Sequence, residues 1–228
     1  MTRCASETDT GSGLGWDAPV LLPLDIDTPR LTIRPYRLED AGEAHRVIDG
    51  FRGQILPWVG FGHTKHFSLA DTTAWVAEMA RCAVEPCGPH VPSGPVFPGV
   101  EAPIFEKDTG AYVGIVCVHQ IAPDTRSCET GYWVRGDRKG RGYATEATRH
   151  WLSHLLTPQV EGGMGLNRVR IYCSSANGAS EAVCRKLCLR KEVHQRADSF
   201  VARPGVTDRL GWGVVADEWD RVAHAPVS

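Results

Sequence analysis

The sequence predicts a mixed α/β fold of the α+β kind, and three observations support this class. Its 228 residues, 42% hydrophobic and 23% charged, have the size and composition of one soluble globular domain. Between residues 104 and 134, three short apolar segments are joined by turns, which predicts an antiparallel meander. After Gly142 the apolar residues recur at steps of three and four, which is typical of an amphipathic helix.

Two segments have the composition of loops. Residues 1–20 are small, polar and rich in glycine, so we expect a disordered tail and predict a single domain over 21–222. Residues 85–103 contain six prolines and three glycines, a density that excludes a helix or a central strand. We predict that 85–103 is a long inserted loop, which either contacts the substrate or is a plain insertion.

The remaining elements follow from apolar periodicity. Before the long loop, alternation predicts one strand, and helical spacing predicts two helices, the second capped by Ser68 or Asp71. After it, alternating segments predict strands, and Pro158 ends the amphipathic helix. In chain order, the predicted elements are a strand at 31–35, helices after Leu38 and Ser68, strands at 104–106, 112–118 and 128–134, a helix at 144–155, a strand at 168–173, a helix near 178–189, and strands near 192–202 and 207–215.

Charge and residue types exclude several functional classes. The 25 Lys and Arg residues against 27 Asp and Glu residues give a net charge of -2, so we expect neither nucleic acid nor an anionic membrane as a partner. The eight cysteines contain no CxxC motif and are expected to be free thiols, and we expect no metal. No signal peptide and no run of about 20 apolar residues is recognisable, so a cytoplasmic location is expected.

The most informative segment is 135–145, RGDRKGRGYAT, which lies between a predicted strand and the amphipathic helix. It holds four Lys or Arg residues and one Asp, and its glycines allow a ligand to approach the backbone closely. A helix start also offers free N–H groups at the positive end of the helix dipole. The pattern predicts a phosphate-binding turn, with a plain surface loop as the alternative. The segment contains neither a P-loop nor a GxGxxG motif.

Five ordered motifs carry a resemblance to a known family. They are TPRL at 28–31, ETGYWV at 129–134, KGRGYATEA at 139–147, GLNRV at 165–169, and NGAS at 177–180 followed by Lys186 and Leu187. Their order and wording resemble the GNAT N-acetyltransferase superfamily, and within it are most similar to the Rim-type (RimJ/RimL-like) branch, which acetylates ribosomal-protein N-termini. The resemblance spans about residues 28–220. It implies the GNAT fold, in which helices flank a twisted, mostly antiparallel central sheet.

The resemblance implies acetyl-CoA as the co-substrate. Lys139 occupies a signature position where the family has Gln or Arg, so it would meet phosphate as a point charge without a forked contact. The N–H groups implied to bind the pyrophosphate belong to Gly140, Arg141, Gly142, Tyr143, Ala144 and Thr145. The residues implied to lie beside the pantetheine arm are Trp133, Val134 and Arg135, with core packing as the alternative for Trp133. The cations implied to face the 3′-phosphate, or else to form a solvated helix face, are Lys186, Arg185, Arg190 and Lys191.

The resemblance also implies catalytic residues, since attack of an amine on a thioester needs an oxyanion donor, a proton for the leaving thiolate and a neutral amine. The backbone N–H of Val134 would be the oxyanion donor. The Ser180 hydroxyl would donate to the sulfur and Asn177 would bind the pantetheine amide, although this pair is also typical of a helix cap. The candidates for the general base are Glu129, His119 and Asp198, with a structural ion pair as the alternative role of Glu129.

We therefore predict an N-acetyltransferase that transfers acetyl from acetyl-CoA to a primary amine by direct attack in a ternary complex. The acceptor is a small-molecule amine, such as a metabolite or an antibiotic, or a protein N-terminal α-amine. The insertion and the near-neutral charge favour a small molecule. A non-catalytic acyl-CoA-binding or sensor module is the alternative, and we expect a monomer or a homodimer. Cys188 and Leu189 stand where the family usually has Gly-Phe, a change expected to affect the end of the preceding helix.

Overall fold

The computed structural model describes residues 25–55, 57–58, 66–84, 100–201 and 204–223. The predicted tail at 1–20 and most of the predicted loop at 85–103 lie outside these residues. The strands are β1 (Ile26–Asp27), β2 (Leu31–Ile33), β3 (Val100–Glu106), β4 (Tyr112–Ala122), β5 (Ser127–Val134), β6 (Arg168–Ser174), β7 (Arg190–Val201) and β8 (Gly205–Val215). The helices are α1 (Ala41–Ile55), α2 (Leu69–Val84), α3 (Tyr143–Leu156), α4 (Gly178–Lys186) and α5 (Ala216–Ala223).

The strands form one sheet with the order β1-β2-β3-β4-β5-β6-β8-β7. Strands β5 and β6 pair in parallel, and the other neighbouring pairs are antiparallel. The mixed fold and the meander, which is β3-β4-β5, are confirmed. Strand β1 and helix α5 were not predicted. A strand of two residues has too few positions to show alternation, and α5 has eight residues and packs through Trp219, which is 2% exposed.

Helices cover both faces of the sheet because each presents an apolar stripe to it. Helices α1 and α2 pack on one face, in a core that includes Tyr112, Ile115 and Trp133. Helices α3, α4 and α5 pack on the other face. There the indole of Trp151 is buried and donates to Thr130 Oγ1 at 3.0 Å. The central strands are therefore enclosed between two helix layers.

The start of β3 corrects the predicted extent of the long loop. Residues 100–103, assigned to the loop by their proline content, belong to β3, and Pro103 pairs with Ile115 of β4. The Pro103 carbonyl accepts from the N–H of Arg34 (3.4 Å), just after β2 ends. Since the N–H and C=O of an antiparallel residue point to the same edge, the donor that proline lacks faces the end of β2. The strand tolerates the proline there because the one hydrogen bond it forgoes lies just beyond the last residue of β2, where the β2–β3 ladder stops.

Both candidates for the cap of α2 act together. The Ser68 N–H donates to Asp71 Oδ2 (2.9 Å), and the Asp71 N–H donates to Ser68 Oγ (3.1 Å). The Ser68 hydrogen bonds hold the pKa of the Asp71 carboxyl below its usual value. This reciprocal pair satisfies two N–H groups that the first turn of a helix leaves free.

Helix α4 ends earlier than predicted, in a Schellman motif. The Cys188 N–H donates to the Arg185 carbonyl and the Leu189 N–H to the Cys184 carbonyl, both at 3.0 Å. Cys188 has a φ of 53°, in the left-handed region where glycine is favoured. The departure from the family's usual glycine therefore places a Cβ at a strained backbone position.

Replacing Cys188 with glycine is expected to raise the free energy of unfolding by about 1 kcal/mol, because glycine adopts this conformation without a clash at Cβ. The melting temperature of a domain of this size should rise by about 2–4 °C. Cys188→Ala is the matched control, since it removes the thiol, keeps the Cβ and should bring no gain. Thermal unfolding followed by circular dichroism measures both variants. An equal gain in Cys188→Ala would contradict the backbone explanation.

Candidate functional site

The central strands β5 and β6 separate along their length. They pair from Ser127 to Glu129, opposite residues 168–170. Residues 130–134 of β5 and 171–174 of β6 do not pair with each other. We name the space between these two stretches the β5–β6 opening. It lies in the middle of the sheet, between the two helix layers.

Backbone N–H groups of β5 point into this opening. The N–H of Arg135 donates to the Val113 carbonyl of β4 at 2.9 Å. Because successive N–H groups along a strand point to opposite edges, the N–H of Val134 points away from β4, towards β6. By the same alternation the N–H of Tyr132 points there too. These two donors face the opening at the level where β6 has moved away.

The start of α3 lies shortly after β5 and has the features of an anion site. Gly140 and Gly142 have φ values of 77° and 82°, which glycine adopts without strain. Gly142 is the N-cap, so α3 begins without a side-chain cap. The first helical bond is donated by Glu146, and the N–H groups of 143–145 remain for an anion at the positive end of the helix dipole.

Two of the four cations in this turn are engaged by carboxylates. Arg135 contacts Asp137 at 2.7 Å, and Arg138 contacts Asp137 at 3.3 Å and Glu106 at 3.6 Å. Within the described part of the chain, Lys139 and Arg141 take part in no ion pair. The positive charge that is not paired with a carboxylate at this turn is therefore smaller than the count of four Lys and Arg residues suggests.

Arg30 is a further cation at this turn, and no role was predicted for it from the sequence. Its Nε donates to Glu146 Oε2 (2.7 Å) and its Nη1 to the Arg141 carbonyl (3.0 Å). Its guanidinium lies 4.7 Å from the centre of the Tyr143 ring. A Cβ at Gly142 would lie 3.4 Å from Arg30 Nη2. Arg30 thus holds the turn against the first turn of α3. The TPRL motif, which contains Arg30, was the sequence signal that could have revealed this role.

Ser180 contacts both strands that border the opening. Tyr132 Oη of β5 lies 3.1 Å from Ser180 Oγ. On the β6 side, burial raises the pKa of the Cys173 thiol, and the neighbouring Ser180 hydroxyl partly offsets this rise. Asn177 Oδ1 accepts from the Ser180 N–H at 3.1 Å, so Asn177 is the N-cap of α4. The alternative role of Asn177 as a cap is therefore observed, and Tyr132 is a side chain that the sequence reasoning missed.

Glu129 and His119 form a hydrogen-bonded pair on the opposite face of the sheet. They are cross-strand partners on β5 and β4, with His119 Nε2 3.1 Å from Glu129 Oε1. The Cys117 thiol lies 3.8 Å from His119 Nδ1, and burial raises the pKa of this thiol far above its usual value. A Cβ at Gly131 would lie 3.2 Å from Cys117 Sγ, so glycine keeps the space beside this pair free. Two of the three candidate bases, Glu129 and His119, are thus joined by a hydrogen bond.

Three predicted site residues have side chains in the core, at the end of α4 and on an edge strand. Trp133 is 9% exposed and packs in the core beside Tyr112, with ring centroids 6.0 Å apart, as its alternative role requires. Lys186 is exposed in the last turn of α4. Asp198 lies on the edge strand β7, is 50% exposed, and approaches Arg209 at 3.9 Å. Their roles toward a ligand stay predictions.

The described residues offer neither a cluster of metal-ligating side chains nor a membrane-spanning helix. In residues 25–55, 57–58, 66–84, 100–201 and 204–223, no group of three or more His, Cys, Asp or Glu side chains is arranged to hold a metal ion. His150 and His154 form an HxxxH pair in α3. None of the described helices combines the length and apolar character needed to cross a membrane.

The sheet has the β5–β6 opening at its centre and the uncapped start of α3 beside it. Together these two features define the class of this protein, which is that of the N-acyltransferase fold. A family model of the acetyltransferase (GNAT) domain matches residues 30–190, which run from the start of β2 to the start of β7. The chain belongs to this acetyltransferase family. The resemblance inferred from the five motifs is confirmed.

Named relatives agree with the branch that the sequence resembles. YdaF of Bacillus subtilis (strain 168), a protein named as a ribosomal N-acetyltransferase, is 25% identical over 122 residues, which cover 54% of this chain and 62% of YdaF. RimL, a ribosomal L7/L12 alpha-N-protein acetyltransferase solved in complex with coenzyme A, has a TM-score of 0.68 at 16% identity, with 84% of this chain and 98% of RimL covered. RimJ of Mycobacterium smegmatis, solved with CoA-disulfide, has a TM-score of 0.67 at 22% identity, with 85% and 86% covered. The two structures share the fold.

Proposed function

We propose that this protein transfers the acetyl group of acetyl-CoA directly to a primary amine in a ternary complex. The β5–β6 opening carries the proposal, because it leaves the N–H groups of Tyr132 and Val134 without partners on β6. An amide-containing arm can add to such a strand edge through main-chain hydrogen bonds. The uncapped start of α3 is suited to the pyrophosphate at the other end of that arm. The coenzyme A forms named for RimL and RimJ support this donor.

The residues of the turn fit an acyl-CoA donor. The N–H groups of 143–145 would hold the pyrophosphate, and the missing side chain at Gly142 lets it approach the backbone. Lys139 and Arg141 would add positive charge, and Arg30 would keep the turn in place. When bound, the thioester supplies an acyl carbon that a neutral amine can attack.

The proposed base and the proposed hydrogen-bond donor to sulfur border the opening from opposite faces of the sheet. Glu129, held by His119, would take the proton of the attacking amine directly or through water. Ser180 would donate a hydrogen bond to the sulfur as the carbon–sulfur bond breaks. Of the two N–H groups that face the opening, the resemblance favours Val134 as the donor to the carbonyl oxygen. With the hydrogen-bond donor Ser180 and the base Glu129 on opposite faces, the acetyl group would pass to the amine without a covalent enzyme intermediate, and coenzyme A would leave as a thiolate.

The acceptor proposed for this site is the α-amine of a protein or peptide N-terminus. The names of YdaF and RimL refer to ribosomal acetylation, and that of RimL to an alpha-N-protein acceptor. An α-amine has a pKa of about 7.7–8.0 and is partly neutral at physiological pH, whereas a lysine amine near 10.4 needs a stronger base. A carboxylate such as Glu129 is sufficient for the first kind of amine. A small amine, favoured by the composition of 85–103, is the competing acceptor.

An acceptor screen tests the proposed function. The full chain is mixed with acetyl-CoA and one acceptor at a time, and released coenzyme A is measured with a thiol reagent. The panel contains peptides with a free α-amine, the same peptides with a blocked α-amine and one lysine, and small amines. We expect turnover with free α-amines and an acetylated N-terminus by mass spectrometry. Turnover with small amines alone would contradict the acceptor, and CoA binding without any turnover would favour the sensor alternative.

A further inference from the structure

We propose that Tyr132 is a positioning residue that directs the hydroxyl hydrogen of Ser180 into the β5–β6 opening. The inference rests on the proposed function, in which that hydrogen is donated to the thioester sulfur. It adds a residue that acts through Ser180 and does not itself touch the reacting atoms.

The backbone and the side chain of Ser180 are both held in place. The Ser180 N–H donates to Asn177 Oδ1 at 3.1 Å. Tyr132 Oη lies 3.1 Å from Ser180 Oγ and 3.2 Å from the Ser180 carbonyl oxygen. Tyr132 belongs to the part of β5 that has left β6, and its ring packs against the core under α3 and α4. The hydroxyl group, which is the polar end of this largely buried ring, is therefore aimed at Ser180.

The hydroxyl groups of Tyr132 and Ser180 can share their hydrogens with each other in two ways. The thiols of Cys184 beside Tyr132 and of Cys173 beside Ser180 are further hydrogen-bonding neighbours. A carbonyl oxygen only accepts, whereas a hydroxyl donates one hydrogen and also accepts. If Tyr132 donates to the Ser180 carbonyl, its oxygen is free to accept the Ser180 hydrogen. If Tyr132 donates to Ser180 Oγ, the Ser180 hydrogen is released to another acceptor. A thioester sulfur in the opening would select the second arrangement, because only that arrangement offers it a hydrogen.

The phenol of Tyr132 is a lasting donor and does not supply the proton of the reaction. Burial raises the pKa of this phenol well above its usual value, so it stays protonated wherever the enzyme works. As the carbon–sulfur bond breaks, its electron pair stays on sulfur, and the Ser180 hydrogen bond stabilises the thiolate that forms. The proton lost by the amine goes to Glu129. Tyr132 keeps its hydrogen throughout and fixes only the direction in which Ser180 donates.

The test is a double-mutant cycle with Tyr132→Phe and Ser180→Ala, assayed on the best acceptor from the screen. Tyr132→Phe keeps the ring and removes the hydroxyl. We expect kcat to fall about tenfold, with the KM for acetyl-CoA and the Kd for coenzyme A within about twofold of the wild type. In the double variant kcat should equal that of Ser180→Ala alone, because a positioning residue has no effect once its target is gone.

Tyr36→Phe is the matched control for loss of a buried phenol hydroxyl. Tyr36 Oη lies 2.8 Å from Tyr112 Oη in the other core, and its removal should lower the melting temperature while leaving kcat unchanged. If Tyr132→Phe leaves kcat unchanged, or if the two losses multiply in the double variant, the inference is overturned while the proposed function stands. A wild-type protein that transfers acetyl to no amine overturns the proposed function and this inference with it.

Discussion

Replacing Gly142 with aspartate is expected to weaken coenzyme A binding by about 100-fold. The new carboxylate would stand at the N-cap of α3, where the free N–H groups of 143–145 would otherwise receive the pyrophosphate. Two like charges about 4 Å apart near a protein surface repel by up to about 4 kcal/mol. Arg30 offsets part of this, because the Cβ at position 142 lies 3.4 Å from its Nη2. Isothermal titration calorimetry with coenzyme A at two salt concentrations measures the loss.

Gly142→Asn is the matched control for this variant. Asparagine has the size of aspartate and tolerates the left-handed conformation found at Gly142, where φ is 82°. It also lacks the charge. We expect Gly142→Asn to lose no more than about tenfold in affinity, and both variants to keep the circular dichroism spectrum of the wild type. Equal losses in the two variants would contradict a phosphate at the start of α3, since the charge would then be irrelevant.

Replacing Glu129 with glutamine is expected to lower kcat by about 100-fold at neutral pH, in the range found for loss of a general base. Glutamine preserves the size of the side chain and its hydrogen bond with His119 but does not take up a proton. The Kd for coenzyme A should stay unchanged, because Glu129 lies on the face away from Ser180 and α4. Steady-state rates with a peptide α-amine, measured across pH, give the comparison.

The pH dependence separates a lost base from a damaged site. With Glu129→Gln the rate should recover as pH rises through about 8, where an α-amine becomes neutral without help. Glu161→Gln, at an exposed carboxylate in the turn after α3, is the control and should keep the wild-type rate. A Glu129→Gln enzyme with the wild-type rate at every pH would restrict Glu129 to its alternative role as a structural ion pair.

Features of the fold that depend on residues close together in the sequence were predictable. The turn at 135–145 lies between a strand and a helix because its glycines and the following apolar spacing are local signals. Asn177 and Ser180 open α4 because a cap acts over three residues. Composition alone failed at Pro103, which belongs to β3 because its missing donor faces the end of β2. Proline content indicates the conformational cost of placing a segment in a helix or strand. It does not indicate at which strand edge a backbone N–H donor is required.

By itself, the sequence determined the family and the mixed fold and located the turn at 135–145 between a strand and a helix, because motifs, caps and apolar periods are contained in short segments. Tertiary structure alone decided which groups meet. The register of β4 on β5 joins His119 to Glu129, and packing of α4 brings Ser180 to Tyr132, 48 positions away. Arg30 contacts Glu146 of α3, 116 positions away. Asp137 and Glu106 pair with Arg135 and Arg138, two of the cations that the sequence suggested were available to an anion. The separation of β5 from β6 belongs to this second group too, since strand register and divergence depend on how both helix layers pack against the sheet.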